Sequence, residues 1–248
     1  MKLLFIIAHK YCRGYETYLE YYINNIQSFY GNDANVLIVD NNSICLEDIH
    51  EKISKYKNVE IIINTSDSKF ELGAYRFGIN YINEKINEYE YIIFIQDTFV
   101  LKNKYDFNNL TINDVKACTI VSHNEYINDE SPFTFCNEEN KNILEQINLY
   151  NKLNEITFCW CVSFILHNSV INDFIKLTNH VIIKTKKDSQ ICERFLARIL
   201  YELNNHKNFD IDGYYYDLKY NVYFTNIYNN LDGYYFQKIN QCKNENTL

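Results

Sequence analysis

The chain has one proline and six glycines in 248 residues. That scarcity excludes collagen-like repeats and linker-dominated chains. No stretch approaches the ~18 consecutive apolar residues of a membrane-crossing helix. Long basic blocks are missing too: the longest cluster is Lys184, Lys186 and Lys187, and so short a run reads as a solvated loop. Lysine and arginine number 24 against 32 aspartates and glutamates, a net charge of −8. Such a surface repels nucleic acid and anionic lipid. The eight cysteines, at 12, 45, 118, 136, 159, 161, 192 and 242, include no CxxC, so zinc-site spacing is absent. Cys159 and Cys161 flank Trp160 in an apolar run and read as buried thiols. A reducing, cytoplasmic compartment and a soluble protein are expected.

Several signature motifs are also absent. The sequence contains no GxGxxG after its first strand, no GxxxxGK[ST], no GxSxG and no HExxH. These gaps remove most dinucleotide-binding dehydrogenases, P-loop NTPases, elbow hydrolases and zincins. They leave α/β folds that bind nucleotides with carboxylates and loop side chains.

What the chain does have is apolar and aromatic content, 47% and 16%. That excludes a wholly disordered chain, and the length buries a core without disulfides or metals. The start, MKLLFIIAHKYC, imitates a secretion signal. Its apolar core stops at Ala8, before His9 and Lys10, at or below the short limit of ~7–15 residues for such a signal. Leu3–Ala8 fits a first β-strand better. Apolar 3/4 spacing over Tyr18–Ile26 predicts a helix. A second strand, Val36–Val39, ends in the turn cluster Asp40–Ser43. A short helix over Leu46–Ile53, a strand over Val59–Ile63, a helix from near Gly73 to Ile86 and a strand over Tyr91–Ile95 follow. Such a β-α-β-α-β-α-β series with continuously apolar strands predicts a mostly parallel sheet covered on both faces. Ligands in such sheets bind beyond the carboxyl ends of the strands.

The second half is less regular. We expect a strand over Ala117–Val121, a polar loop over Asn124–Glu139 and a helix over Leu144–Leu153. A strand or strand pair over Ile156–Leu166 comes next, then helices over Val170–Leu177 and Ile191–Leu203, the last capped by Asp188 or Ser189. Gly213–Tyr228 is tyrosine-rich and strand-like. No linker or repeat interrupts residues 1–240, which read as one domain, with 241–248 a flexible tail.

Four segments, in order, carry a resemblance. Val36-Leu-Ile-Val-Asp-Asn-Asn-Ser43 resembles a strand ending in "VDNGS" or "VDDGS". Glu71-Leu-Gly-Ala-Tyr-Arg-Phe-Gly-Ile79 resembles a "GGAxARNxGI" helix start. Tyr91-Ile-Ile-Phe-Ile-Gln-Asp-Thr98 resembles a strand carrying a DxD or "NPDT" motif, and Lys187-Asp188 with Glu193-Arg194 resembles a degraded "ED…R". Together they resemble the GT-A nucleotide-sugar glycosyltransferases of the family-2-like group over roughly residues 1–205. The resemblance implies a GT-A-like, Rossmann-like α/β fold, transfer of a sugar from a nucleotide-sugar donor (UDP-sugar by default) to a glycan or other hydroxyl acceptor, and Mn2+ or Mg2+ as cofactor.

It also implies roles. Asp40 and Asn41 would hold the nucleobase or ribose; a local turn is the alternative, because Asp and Asn close such turns. Asp67 would lie beneath the nucleotide. Gly73 would admit a close helix start and Arg76 would reach the diphosphate; alternatively Arg76 pairs with Glu71 or Asp67. Asp97, beside Gln96, would bind the metal, or else ribose or sugar; a strand-end Asp closing a local turn is the alternative. The usual second acid is replaced, since the motif reads Gln96-Asp97-Thr98. Asp188 or Glu193 would be the general base, unless Asp188 only caps its helix and Glu193 faces solvent. His9 reads as a nucleotide contact or a structural histidine, and Trp160 as core or as an acceptor platform. Two rival readings remain. A sugar nucleotidyltransferase would carry a Gly-rich basic loop after the first strand, where this chain has only Gly14. A non-catalytic carbohydrate- or protein-binding relative is favoured by the degenerate DxD.

Overall fold

The computed structural model describes residues 1–10, 19–43, 46–97, 99–101, 103–110, 116–117, 120–121, 138, 158–159, 162–204 and 236–238. Trp160, the segments 144–153 and 213–228, the loop 124–137 and the tail 241–248 lie outside the described residues.

In chain order the strands are β1 (Leu3–His9), β2 (Ala34–Asp40), β3 (Val59–Ile63), β4 (Tyr91–Gln96), β5 (Phe99–Leu101), β6 (Lys116–Ala117), β7 (Ile120–Val121), β8 (Phe158–Cys159), β9 (Phe164–His167) and β10 (Phe236–Lys238). The α-helices are α1 (Leu19–Tyr30), α2 (Leu46–Ile53), α3 (Phe70–Tyr81), α4 (Ile171–Thr178) and α5 (Lys186–Leu203). The main sheet runs β3-β2-β1-β4-β9-β6. Its first four strands are parallel, and β9 alone runs against the rest. Two small antiparallel pairs, β5 with β10 and β7 with β8, stand apart. This is the GT-A-like architecture the resemblance implies: α/β, a mostly parallel sheet between helices. No described helix is long and apolar enough to cross a membrane.

Strand periodicity builds two cores, because alternate side chains leave opposite faces. Leu4, Ile6, Leu37, Val39, Ile92 and Phe94 join Tyr75 and Ile79 of α3, Phe174 of α4 and Phe195 of α5. Leu3, Phe5, Ile7, Val36, Ile38, Ile93 and Ile95 join Tyr22, Ile23 and Ile26 of α1 on the other face. Every residue of β1 is buried, which explains its unbroken apolar run.

The structure corrects several element boundaries. The expected strand over 117–121 splits into β6 and β7, which pair in separate sheets. The described residues of the run 156–166 fall in two strands, β8 and β9, the strand pair offered as one of its alternatives, with Val162 between them at φ 51. The last helix begins at Lys186, with Thr185 rather than Asp188 or Ser189 as its cap: Thr185 accepts from the Asp188 N–H and Asp188 bonds back to the Thr185 N–H, a reciprocal capping box. Helix α3 begins at Phe70, before Gly73. The turn ahead of it is fastened by Lys69 N–H to Ile183 O at 2.7 Å and by Ile183 N–H to Ser68 Oγ at 3.0 Å.

The two glycines of α3 allow its close approach to what lies around it. A Cβ on Gly73 would stand 2.3 Å from the Ser68 carbonyl oxygen, and one on Gly78 would stand 3.0 Å from Val39 Cγ2. In an open helix Gly→Ala gains about 1 kcal/mol. Here the sign reverses. Gly73→Ala meets backbone and should lower stability by about 1–3 kcal/mol, and Gly78→Ala, meeting methyl groups that can shift, should lose less. Urea midpoints of the two variants check the order.

Candidate active site

The same alternation that sorts the core sorts the polar residues where the strands end. His9 continues the Phe5–Ile7 series, Asp40 the Val36–Ile38 series and Asp97 the Ile93–Ile95 series, so all three leave the α1 face. Register sets His9 against Asp40, and Asp97 N–H extends the ladder to Ala8 O at 3.0 Å. His9 thus lies between two carboxylates. Its Nδ1 bonds Asp97 Oδ2 at 2.7 Å, and its Nε2 lies 3.9 Å from Asp40 Oδ2. A carboxylate only accepts, so Nδ1 carries the proton of the short bond. The Lys10 N–H donates to the same Asp97 oxygen at 3.1 Å. Asp97 Oδ1 carries no hydrogen bond from the described residues.

Gln96 leaves the opposite face. Its Nε2 donates to Glu71 Oε1 of α3 at 2.5 Å, and Ser189 of α5 donates to Glu71 Oε2 at 2.9 Å. Asn41 closes the third side: its amide donates to Phe70 O at 3.2 Å and accepts from Asn64 at 2.9 Å. Phe70 is held at φ 58, a left-handed conformation that is costly for a bulky residue and clusters at functional sites.

These residues enclose a cavity of about 440 Å³, lined by Ala8, His9, Lys10, Asn41, Lys69, Phe70, Glu71, Gln96, Asp97 and Lys186. Its volume is in the range of ligand sites, ~300–1,000 Å³. It opens where β1 meets β2 on one side and β4 on the other, the position at which a parallel sheet's connections diverge and ligands settle.

Of the residues singled out in the sequence, His9, Asn41, Gln96 and Asp97 line the cavity. Asp40 is fully buried behind it. Its carboxylate accepts from Ser43 N–H at 2.7 Å and from the Ser43 hydroxyl, the local turn weighed as its alternative. Gly73 packs under the Ser68 carbonyl. Asp67 is exposed and off the cavity wall. Arg76 is off the cavity wall, donating to Val181 O and, at 2.7 Å, to Asn179 O. Asp188 and Glu193 lie along α5 outside the lining, and Trp160 is outside the described residues. Lysines 10, 69 and 186 and Glu71 were missed as site residues. Lys10 directly follows His9, which was a usable signal. A helix start at Gly73 hides Lys69 and Glu71, and the short basic run hides Lys186, which opens α5 rather than lying in a loop.

The described donors do not fit a divalent cation. Among the described residues no three His, Cys, Asp or Glu side chains are arranged to hold a metal ion; in the Asp40–His9–Asp97 cluster, one Asp97 oxygen is committed to His9 and Lys10 and the Asp40 carboxylate to Ser43.

No protein-family model and no curated protein matches the chain. Solved structures do. A mannosyltransferase from Pyrobaculum calidifontis, in complex with GDP-Man and Mn2+, aligns at 11% identity and a TM-score of 0.31, over 42% of this chain and 29% of its own. The bifunctional glycosyltransferase WbbM, in its apo form, aligns at 13% and 0.42, over 82% and 37%. A 4-diphosphocytidyl-2C-methyl-D-erythritol synthase from Anaerococcus prevotii aligns at 12% and 0.43, over 78% and 82%. The chain thus spans about a third of the first two proteins' length. Likeness at this identity concerns fold alone.

Asp188 has a defined structural role. The N–H groups of Lys184 and Thr185 donate to its carboxylate at 3.0 and 2.8 Å and hold it below its ordinary value of 3.8. A group shifted this way stabilises the fold above its ordinary value and loses that effect as pH falls through the lowered one. Asp188→Ala should therefore cost about 1 kcal/mol at neutral pH. The gap to the parent should stay constant down to pH 3.8 and close below it, as read by denaturant unfolding across pH.

Proposed function

We propose that the chain is a nucleotide-sugar glycosyltransferase that binds its donor in the β1–β4 cavity and passes the sugar to an acceptor hydroxyl. One observation carries the reading. Three of the segments that resemble the glycosyltransferase motifs, far apart in sequence, converge on one edge of the sheet. Asn41 lies in the first, Glu71 opens the second and Asp97 lies in the third, and all three line the same cavity. UDP remains the default nucleotide, by resemblance.

In this reading the chain works by positioning and by fixed charge. His9 and the Lys10 N–H lock Asp97 through Oδ2, leaving Oδ1 for ribose or sugar hydroxyls. Asn41 meets the nucleoside. Asp40 acts one layer back, by closing the Ser43 turn that positions Asn41. The described residues offer no donor set that fits the Mn2+ or Mg2+ implied by the resemblance, so this reading routes no step through a metal. Asp188 is a poor general base, because its carboxylate already serves the helix start and a lowered pKa weakens proton acceptance. Glu193, further along α5, is the remaining carboxylate of the late motif.

A second reading, a binding domain without catalysis, is favoured by one observation: both carboxylates on the cavity wall, Glu71 and Asp97, already hold hydrogen bonds. Product release from a UDP-sugar supports the first reading over the second.

A panel of nucleoside diphosphates tests the binding step. A ligand at a hundred times its Kd stabilises by about 2.7 kcal/mol, which for a chain of this size raises Tm by about 5–10 °C. At least one nucleotide should do so, and Asp97→Asn should abolish most of the shift. No response to any nucleotide, or an undiminished one in Asp97→Asn, contradicts the proposal.

A further inference from the structure

The cavity carries positive charge on an acidic protein. Lys10, Lys69 and Lys186 line it against two carboxylates, Glu71 and Asp97, while the whole chain is at −8. The lysines come from three separate elements: the residue after β1, the N-cap of α3 and the first residue of α5.

The carboxylates form no ion pair with these lysines, Glu71 and one Asp97 oxygen being engaged elsewhere. Both Glu71 oxygens take bonds from Gln96 and Ser189, and Asp97 Oδ2 takes its bonds from the His9 ring and the Lys10 main chain. The Lys69 ammonium donates to Asn64 O at 2.7 Å. The ammonium groups of Lys10 and Lys186 are exposed and meet no carboxylate among the described residues. Helix α3 also begins at this cavity with no side-chain cap, so its first N–H groups add a favourable field for an anion. Three ammonium groups against two hydrogen-bonded carboxylates, with no donor group arranged for a metal among the described residues, favour a polyanion over a cation.

We infer that Lys10 and Lys186, with Lys69 bracing the wall, hold the diphosphate of the bound nucleotide directly, so that it binds without a divalent cation. The inference rests on the nucleotide reading above and adds which groups meet the phosphates. It departs from the Mn2+ or Mg2+ dependence that the sequence resemblance implies.

Calorimetric titration of the full chain with UDP, GDP and inorganic pyrophosphate, in EDTA and in Mn2+, tests it. The variants are Lys10→Gln, Lys186→Gln, their double and the Lys→Arg pair. Both positions are exposed, and unchanged Tm values confirm folding. The expected result is binding in EDTA that Mn2+ changes little. Losing a charged hydrogen bond to phosphate should weaken it at least about tenfold in the double glutamine variant. Most of it should return with arginine, and it should fall steeply with added salt. Nucleotide binding that needs Mn2+, or is equal in the double glutamine variant, overturns the inference and leaves the nucleotide reading standing. Lysine-dependent pyrophosphate binding with no response to either nucleotide does the reverse, retaining the anion clasp and removing the nucleotide. No binding of any probe overturns both.

Discussion

The hydrogen bond from His9 Nδ1 to Asp97 Oδ2, 2.7 Å long and shut away from water, joins the ends of β1 and β4 where the sheet's connections part. Strand periodicity makes it possible. Three adjacent parallel strands end in register, and the residue that would be the next apolar side chain on the α1 face is in each case ionisable: Asp40, His9 and Asp97. A buried carboxylate without partners is costly, so each must be satisfied locally. Ser43 serves Asp40, and His9 with the Lys10 N–H serves Asp97. The cavity floor is therefore a set of side chains with little freedom to turn, as a site that works by positioning requires.

The opposite face solves a related problem with neutral partners. Glu71 stands at the start of α3, where a negative charge suits the helix field. Gln96 and Ser189 hold it there from the sheet and from α5. One carboxylate thereby ties three elements together at the rim. The close seating of α3 depends on glycine at 73 and 78, so helix packing and cavity shape share a cause. With Glu71 and one Asp97 oxygen restrained on the two faces, the three lysines give the cavity positive charges that favour an anion.

Much of this was legible in the sequence, and what was not has traceable reasons. Strands β1 to β4 emerge from their apolar runs to within a residue or two, because strands covered on both faces must be apolar throughout. His9, Asn41, Gln96 and Asp97 follow from them as strand-end residues. Boundaries set by caps were harder. Gly73 looks like a helix start, yet the helix begins at Phe70. That displacement moves Arg76 from the first turn to the second, where it reaches the Asn179 and Val181 carbonyls instead of the cavity. It also hides Lys69 and Glu71. The residue pattern marks Asp188 as a possible cap, but the side chain that opens the helix is Thr185. Which groups face the cavity from α5 depends on packing against a sheet that no local pattern describes.

Amide chemical-shift mapping during a UDP titration tests the central claim most directly. The account predicts the largest changes at Lys10, Asn41, Phe70, Glu71 and Asp97, three strand ends and one helix start brought to a single cavity, with the Arg76–Val181 junction nearly still. Changes centred on that junction or on the outer strand β3, with Lys10 and Asp97 unmoved, would contradict it.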